Sequence, residues 1–134
     1  MSALIENAIT KLATATGIDA KSIAITTLYT VPPGKTLIVD HVVIRVTAFT
    51  AGAKDTQAVA SFGGNSATWD DYLNSVTYTV AAASVFIRAS VEDAATVVYA
   101  AGATFKISVE TGSNATTETW AVDVFGYLVQ LDSL

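Results

Sequence analysis

From Lys21 onward, apolar and polar residues alternate with a period of two along most of the chain. This pattern is typical of β-strands, whose successive side chains point to opposite faces of a sheet. Gly, Asn, Ser and Ala are frequent between the alternating stretches, where they favour turns. The pattern predicts about eight strands, over residues 22–31, 35–49, 56–62, 76–80, 85–91, 95–99, 104–110 and 118–131.

The predicted strands differ in how many of their faces are apolar. Residues 104–110 alternate cleanly, with Phe105, Ile107 and Val109 on one face and polar side chains on the other, as in a strand that covers a core on one side. Residues 35–49 and 118–131 are partly apolar on both faces. A sandwich covers one of those faces, so the second covering would come from the N-terminal segment or from another subunit.

The spacing between strands indicates the fold class. Pro-Gly, Gly-Gly and Gly-Ser-Asn turn signals separate neighbouring strands by a few residues, and no spacer is long enough for a crossover helix. The sequence therefore predicts an all-β chain, a two-sheet antiparallel sandwich or jelly roll. An immunoglobulin-like sandwich is the nearest rival, and the absence of cysteine weakens it.

The first seventeen residues follow a different period. Apolar residues fall there at helical spacing: Leu4, Ile5, Ala8, Ile9 and Leu12. With Ser2 as the N-cap and Gly17 as the stop, the pattern predicts a short amphipathic helix or arm over residues 1–17, followed by one β-sandwich domain over residues 18–134. A helix this short needs a surface for its apolar stripe, so we expect this segment to be an assembly arm.

Composition points to association and excludes several partners. The chain is 51% hydrophobic and only 14% charged. This composition favours a homo-oligomer, because monomeric proteins rarely expose large uncharged areas to water. Its net charge of -5 and its seven scattered basic residues argue against nucleic acid and acidic membrane surfaces. No stretch approaches the roughly 20 apolar residues of a membrane span, and the first residues do not resemble a secretory signal.

Few residues could carry chemistry. His41 is the sole histidine and so the only candidate for a histidine general base. Asp40 beside it should point to the opposite face of the strand, so it should not orient the His41 ring. The pairs Asp70-Asp71 and Glu92-Asp93 could offer oxygen ligands to calcium, but no calcium-loop spacing surrounds them. We therefore predict no catalytic residues, no metal and no cofactor.

A loop between the third and fourth predicted strands brings Trp69, Asp70 and Tyr72 together beside asparagine. Its aromatic residues could close one end of the sandwich, form an interface hot spot, or bind a sugar by stacking and hydrogen bonding. The sequence leaves these three alternatives open.

Residues 28–39 carry the phrase Tyr-x-Val-Pro-x-Gly-Lys followed by alternating aliphatic residues, residues 101–109 carry an Ala-Gly turn and a strand, and residues 122–128 form a closing strand. These three segments resemble small virion-associated β proteins of tailed bacteriophages. Together they cover about half of the chain. Ala103 departs from the pattern because an acidic residue is commoner there.

The resemblance implies a non-enzymatic virion structural protein, made in the host cytoplasm. It would be a capsid decoration or cement subunit, or a small tail-associated component, and such proteins are commonly trimers. The expected partners are further copies of the chain and the major capsid protein or another virion protein. A carbohydrate- or receptor-binding tail module is the alternative, and it depends on the loop of Trp69 and Tyr72.

Overall fold

A computed structural model describes residues 8–52, 55–83, 86–90 and 97–130. These residues form strands and connecting turns, with no helix among them. The nine strands of the described ranges are β1 (Thr10–Asp19), β2 (Ala24–Thr30), β3 (Lys35–Thr50), β4 (Ala58–Gly63), β5 (Leu73–Tyr78), β6 (Phe86–Ala89), β7 (Val98–Tyr99), β8 (Thr104–Thr111) and β9 (Thr117–Gln130).

The strands form two antiparallel sheets. The five-stranded sheet has the order β1-β9-β3-β6, with β7 also paired to β3, and the four-stranded sheet has the order β2-β8-β4-β5. The chain therefore passes repeatedly from one sheet to the other, and β9 lies between β1 and β3 although it follows them late in the sequence. The prediction of an all-β, two-sheet antiparallel sandwich is confirmed, and β2 to β9 overlap the eight predicted strands.

The core lies between the two sheets and consists of the side chains that point inward from each strand. Along β3, Val42, Ile44 and Val46 are buried while the residues between them are not. The largest fully buried side chains are Trp120, Phe62, Phe105 and Leu37. Phe105 packs edge-on against Tyr72, and Trp120 packs edge-on against Tyr78, so aromatic rings join the sheets.

The Pro-Gly turn lies where the sequence predicts it, between β2 and β3. Gly34 has a φ of +75°, a backbone conformation that residues with a Cβ rarely adopt. The Lys35 amide donates a hydrogen bond to the Pro32 carbonyl at 3.3 Å. The turn therefore fixes the direction in which β3 starts.

The predicted N-terminal helix is wrong for residues 10–17, because Thr10–Asp19 is the edge strand β1, paired antiparallel with β9. Two register irregularities interrupt this pairing, between Lys11 and Ala13 and between Ala15 and Ile18. Each one shifts the alternation by a residue, so the period of two that marks the other strands is lost. Within the described residues the first strand of the sandwich begins at Thr10, and the predicted boundary at residue 18 falls inside it.

Candidate assembly surface

The outward face of the five-stranded sheet carries apolar side chains on most of its strands. Residues paired directly across a ladder share a face, so Val98 and Tyr127 lie beside Ile38 on this side. We call these side chains the outer apolar face: Ile38, Val43, Phe86, Val98, Phe125 and Tyr127. Phe86 is 68% exposed and Val98 is 53% exposed. The other four side chains are partly exposed. Both β3 and β9 are therefore apolar on their outward side as well as their inward side, as their sequences indicate.

One buried carboxylate within this outward face joins three strands, and its residue, Asp123, pairs directly with Val43 across the ladder of β3 and β9. Asp123 of β9 accepts hydrogen bonds from Arg45 of β3, through Nε at 2.8 Å and Nη2 at 3.0 Å, and from Thr14 of β1 at 2.7 Å. Asp123 is 6% exposed. Because Asp123 is paired with Arg45 and accepts these hydrogen bonds, its burial avoids the large free-energy cost of an isolated buried charge.

The charge state of Asp123 follows from these contacts. Burial alone would raise its pKa, but the hydrogen bonds from Arg45 and Thr14, with the positive charges of Arg45 and Lys11, outweigh burial and hold the pKa of Asp123 below its ordinary value. The same hydrogen bond and the charge of Asp123 raise the pKa of Arg45. The two side chains therefore stay ionised together through the neutral range.

The sequence reasoning about His41 is wrong in one respect. His41 Nδ1 lies 2.7 Å from Asp40 Oδ2, although strand neighbours normally point to opposite faces. A β-bulge explains the contact: Val39 pairs with Gly126 and His41 with Phe125, so Asp40 is an extra residue and both side chains turn outward. The His41 ring stacks on Phe125 with a centroid distance of 4.6 Å.

Asp40 also lies 3.6 Å from the Arg88 guanidinium, and its backbone carbonyl accepts a hydrogen bond from the Tyr72 hydroxyl at 2.8 Å. The contacts of Asp40 and His41 thus join β3, β6, β9 and the loop after β4. No serine or threonine hydroxyl is hydrogen-bonded to His41 within the described ranges. These contacts join elements of the fold and supply no nucleophile beside the imidazole.

The loop of the predicted ligand site is held by its own hydrogen bonds. The side-chain oxygen of Asn65 accepts from the Asp70 and Asp71 amides at 2.8 and 3.1 Å, and its amide nitrogen donates to Asp70 at 2.7 Å. Hydrogen bonds from Asn65 and Thr68 lower the pKa of Asp70. The Asp70 carboxylate is thus already engaged inside the loop.

The two aromatic residues of this loop have different surroundings. Tyr72 is 6% exposed and belongs to the core, so its ring is not available to stack on a ligand. Trp69 is half-buried, and the Lys106 ammonium lies 4.3 Å from the centroid of its ring, a cation–π contact. The loop therefore closes one end of the sandwich through Tyr72, while a part of Trp69 remains at the surface.

The predicted assembly arm is only partly described. Leu4 and Ile5 lie outside the described residues. Ala8 and Ile9 are exposed and precede β1, whereas Leu12 lies within β1 and packs against the core. Of the predicted apolar stripe, Leu12 therefore belongs to the sandwich, and the arm function of the other residues stays a prediction.

Sequence reasoning missed Asp123 and Arg45. A signal was present, since each is a charge in the middle of a strand that is apolar on both sides. Opposite charges in two such strands could have indicated a cross-strand pair. The alternation gives no register between distant strands, however, so it could not show that these two side chains meet.

Metal sites and membrane spans can be assessed for the described ranges. Nowhere in them do three or more His, Cys, Asp or Glu side chains form a group that could hold a metal ion, and Glu92 and Asp93 lie outside those ranges. The same ranges contain no helix long and apolar enough to cross a membrane.

The comparisons with known proteins bear on the fold. No family model matches the chain, and no curated protein matches it. Its structure is similar to that of a chain in a structure described as "Acidic stable capsid structure of Helicobacter pylori bacteriophage KHP30", with a TM-score of 0.54 and 12% sequence identity. The match covers 91% of this chain and 95% of that chain. At this identity the likeness shows a shared sandwich fold over nearly the whole of both chains.

Proposed function

We propose that this chain is a non-enzymatic structural protein of a phage virion, a capsid decoration or cement subunit that self-associates and binds the particle. The observation that supports it most is the fold shared over 91% of the chain with a chain from a phage capsid structure. The outer apolar face adds independent support, because an exposed apolar area of this kind marks an interaction surface.

We further infer that the sandwich is a jelly roll. In such a fold a long hairpin is rolled up, so that strands from opposite ends of the chain pair in nested order. Here β1 pairs with β9, β2 with β8, β3 with β6 and β7, and β4 with β5. This nesting supports the jelly-roll assignment, with β6 and β7 sharing one strand position beside β3.

Self-association is the first test of the proposed function. We expect size-exclusion chromatography with light scattering to give an oligomer, with a trimer as the proposed state. A strict monomer at micromolar concentration would contradict self-association.

Location on the particle is the second test. Antibody labelling and electron microscopy of virions from the virus that encodes the chain should place it on the head, beside the major capsid protein. Labelling of the tail would favour a tail-associated component, and absence from purified virions would refute a virion role.

A carbohydrate- or receptor-binding module remains the alternative, and Trp69 is the residue that favours it. Its partly exposed ring could stack on a sugar, but Lys106 covers one part of it and Tyr72 lies in the core. Glycan-array binding that Trp69→Ala abolishes would support this alternative. An array without signal would remove it.

A further inference from the structure

The charges on the outward side of the five-stranded sheet balance one another. The ladders and the bulge of β3 place six charged strand residues of the described ranges on this side, three of them positive and three negative: Lys11, Arg45 and Arg88, with Asp19, Asp40 and Asp123. The whole chain has a net charge of -5, so the excess of negative charge belongs to residues other than these six. The outer apolar face therefore lies among balanced charges in a chain that is acidic as a whole.

This charge balance favours a second copy of the chain as the partner. Two copies that approach through acidic surfaces repel each other, and the repulsion opposes association. Two copies that approach through the outward side of the five-stranded sheet bring together surfaces without a net charge. A strongly basic partner, in contrast, finds no excess of negative charge on this side to attract it.

The area of this side is sufficient for a stable contact. Strands lie about 4.8 Å apart and rise about 3.4 Å per residue, so the four strand positions and the 14 residues of β9 span about 900 Å². Stable protein interfaces of ordinary size bury about 800 Å² of each partner. Cover by other copies can therefore remove the outer apolar face from water.

An exposed ion pair lies beside the most exposed apolar side chains. The Arg88 side chain is 60% exposed and the Asp40 side chain is 33% exposed, and their charged groups are 3.6 Å apart. This distance is longer than a hydrogen bond, so the two groups hold each other weakly within one copy. Phe86 shares the outward side of β6 with Arg88. Each copy thus presents one positive and one negative group, next to apolar surface, with which a neighbouring copy can pair.

We propose that the outer apolar faces of neighbouring copies pack against one another around the symmetry axis of the oligomer, with Arg88 of one copy paired with Asp40 of the next. In the proposed trimer the three faces surround the three-fold axis. This proposal deepens the proposed function and rests on its self-association. In a closed ring each copy offers Arg88 to one neighbour and Asp40 to the other, so every such pair is completed.

Charge reversal tests the pairing between copies. Arg88→Glu places a second negative charge beside Asp40, and we expect the dissociation constant of the oligomer to rise about tenfold or more by analytical ultracentrifugation. Lys106→Glu is the matched control, because it changes the net charge by the same amount on the outward side of the four-stranded sheet. The control should change the dissociation constant about twofold or less. Equal weakening by the two variants would overturn the pairing.

Cysteine cross-linking tests the face itself, and it gives an answer even if a charge variant fails to fold. The chain has no cysteine, so a Phe86→Cys variant carries one reactive thiol in each copy. We expect a short bismaleimide to join its copies into covalent dimers at micromolar concentration. Ile25→Cys is the control, since Ile25 is 51% exposed on the outward side of the four-stranded sheet, and it should give only background dimer. No more dimer from Phe86→Cys than from Ile25→Cys would refute the contact between faces.

Failure of this contact can be told apart from failure of the proposed function. If the chain forms an oligomer on virions but residue 86 gives no cross-link above the control, the contact is wrong and the proposed function stands. A strict monomer at micromolar concentration would overturn self-association and this contact together. Absence from virions, with cross-linking at residue 86 intact, would remove the virion role and support the contact.

Discussion

The outward faces of the two sheets have the same strand geometry and very different side chains. On the four-stranded sheet, Ser61 and Ser75 donate hydrogen bonds to Glu110, and Ser61 lies directly opposite Ser108. On the five-stranded sheet the corresponding layer contains Phe86 and the rest of the outer apolar face, with the Arg45–Asp123 ion pair among these side chains.

The difference lies in what each face needs to be stable in water. The serines and Glu110 satisfy one another by hydrogen bonds, and Ser75 and Glu110 also reach solvent, so this polar cluster needs no cover, although Ile25 is exposed on the same outward face. Apolar side chains gain about 25 cal/mol for each Å² removed from water, so the five-stranded sheet gains stability when another surface covers it. We infer that association, if it uses a sheet face, uses the five-stranded one.

The largest expected effect comes from removing the edge of the five-stranded sheet. Deleting residues 2–16 takes away most of β1, including Leu12 and the Thr14 hydrogen bond to Asp123, and uncovers the edge of β9. We expect loss of cooperative thermal unfolding, measured by circular dichroism. Deleting residues 2–9 is the matched control, since it stops before β1 and should leave the melting transition in place. A deletion of residues 2–16 that melts like the full chain would show that β1 adds no stability.

A smaller effect should come from the charged anchor, the Arg45–Asp123 ion pair within the outward face of the five-stranded sheet. Asp123→Asn replaces the acceptor of Arg45 and Thr14 by an amide, and we expect a loss of about 2 kcal/mol in the free energy of unfolding. Glu110→Gln on the four-stranded sheet is the control, with an expected loss of about 1 kcal/mol or less. Urea denaturation measures both. Equal losses would mean that the two polar clusters are equivalent.

The anchor also predicts a pH dependence. Because the pKa of Asp123 is lower in the folded chain than in the unfolded one, its contribution to stability is complete above about pH 4 and is lost as pH falls through the folded-state pKa. Urea denaturation between pH 7 and pH 3 should show a shallower decline for Asp123→Asn than for the parent chain. Parallel curves would contradict this assignment.

The smallest effect on folding, and a selective effect on association, should come from the exposed apolar residues. We expect Phe86→Thr with Val98→Thr to change the free energy of unfolding by about 0.5 kcal/mol or less, because both side chains are exposed. Self-association should weaken about tenfold by light scattering or analytical ultracentrifugation. Ile25→Thr, which is 51% exposed on the four-stranded sheet, is the control and should leave association unchanged. An equal loss in the control would remove the distinction between the faces.

The sequence predicts the fold well where the period of two is unbroken. β8 is the clearest case, since Phe105, Ile107 and Val109 are buried as the alternation requires. The prediction from alternation fails where β-bulges shift the period of two. In β1 two irregularities interrupt the alternation that would have marked residues 10–19 as a strand, and in β3 the bulge turns Asp40 toward His41.

The surface was harder to predict than the core. Alternation shows that β3 and β9 are apolar on both faces, and the structure places them side by side in one sheet. Alternation does not show which distant side chains meet, because the register between strands far apart in sequence depends on tertiary packing. Tyr72 illustrates the limit, since the sequence leaves open whether its ring closes the sandwich, forms an interface or binds a ligand, and in the structure Phe105 and the Asp40 carbonyl hold it inside.

The central position of β9 has a consequence for how the chain acquires its structure. Thr14 and Asp123 bond across 109 positions of sequence, and the five-stranded sheet cannot close until β9 has been synthesised and released from the ribosome. Until then β1 and β3 lack the strand that joins them, and among the described strands only β4 and β5 pair as neighbours in sequence. Chains dominated by such distant pairings fold slowly, so we expect the five-stranded sheet to form only once β9 is available, with its unpaired strands vulnerable to aggregation in the interval.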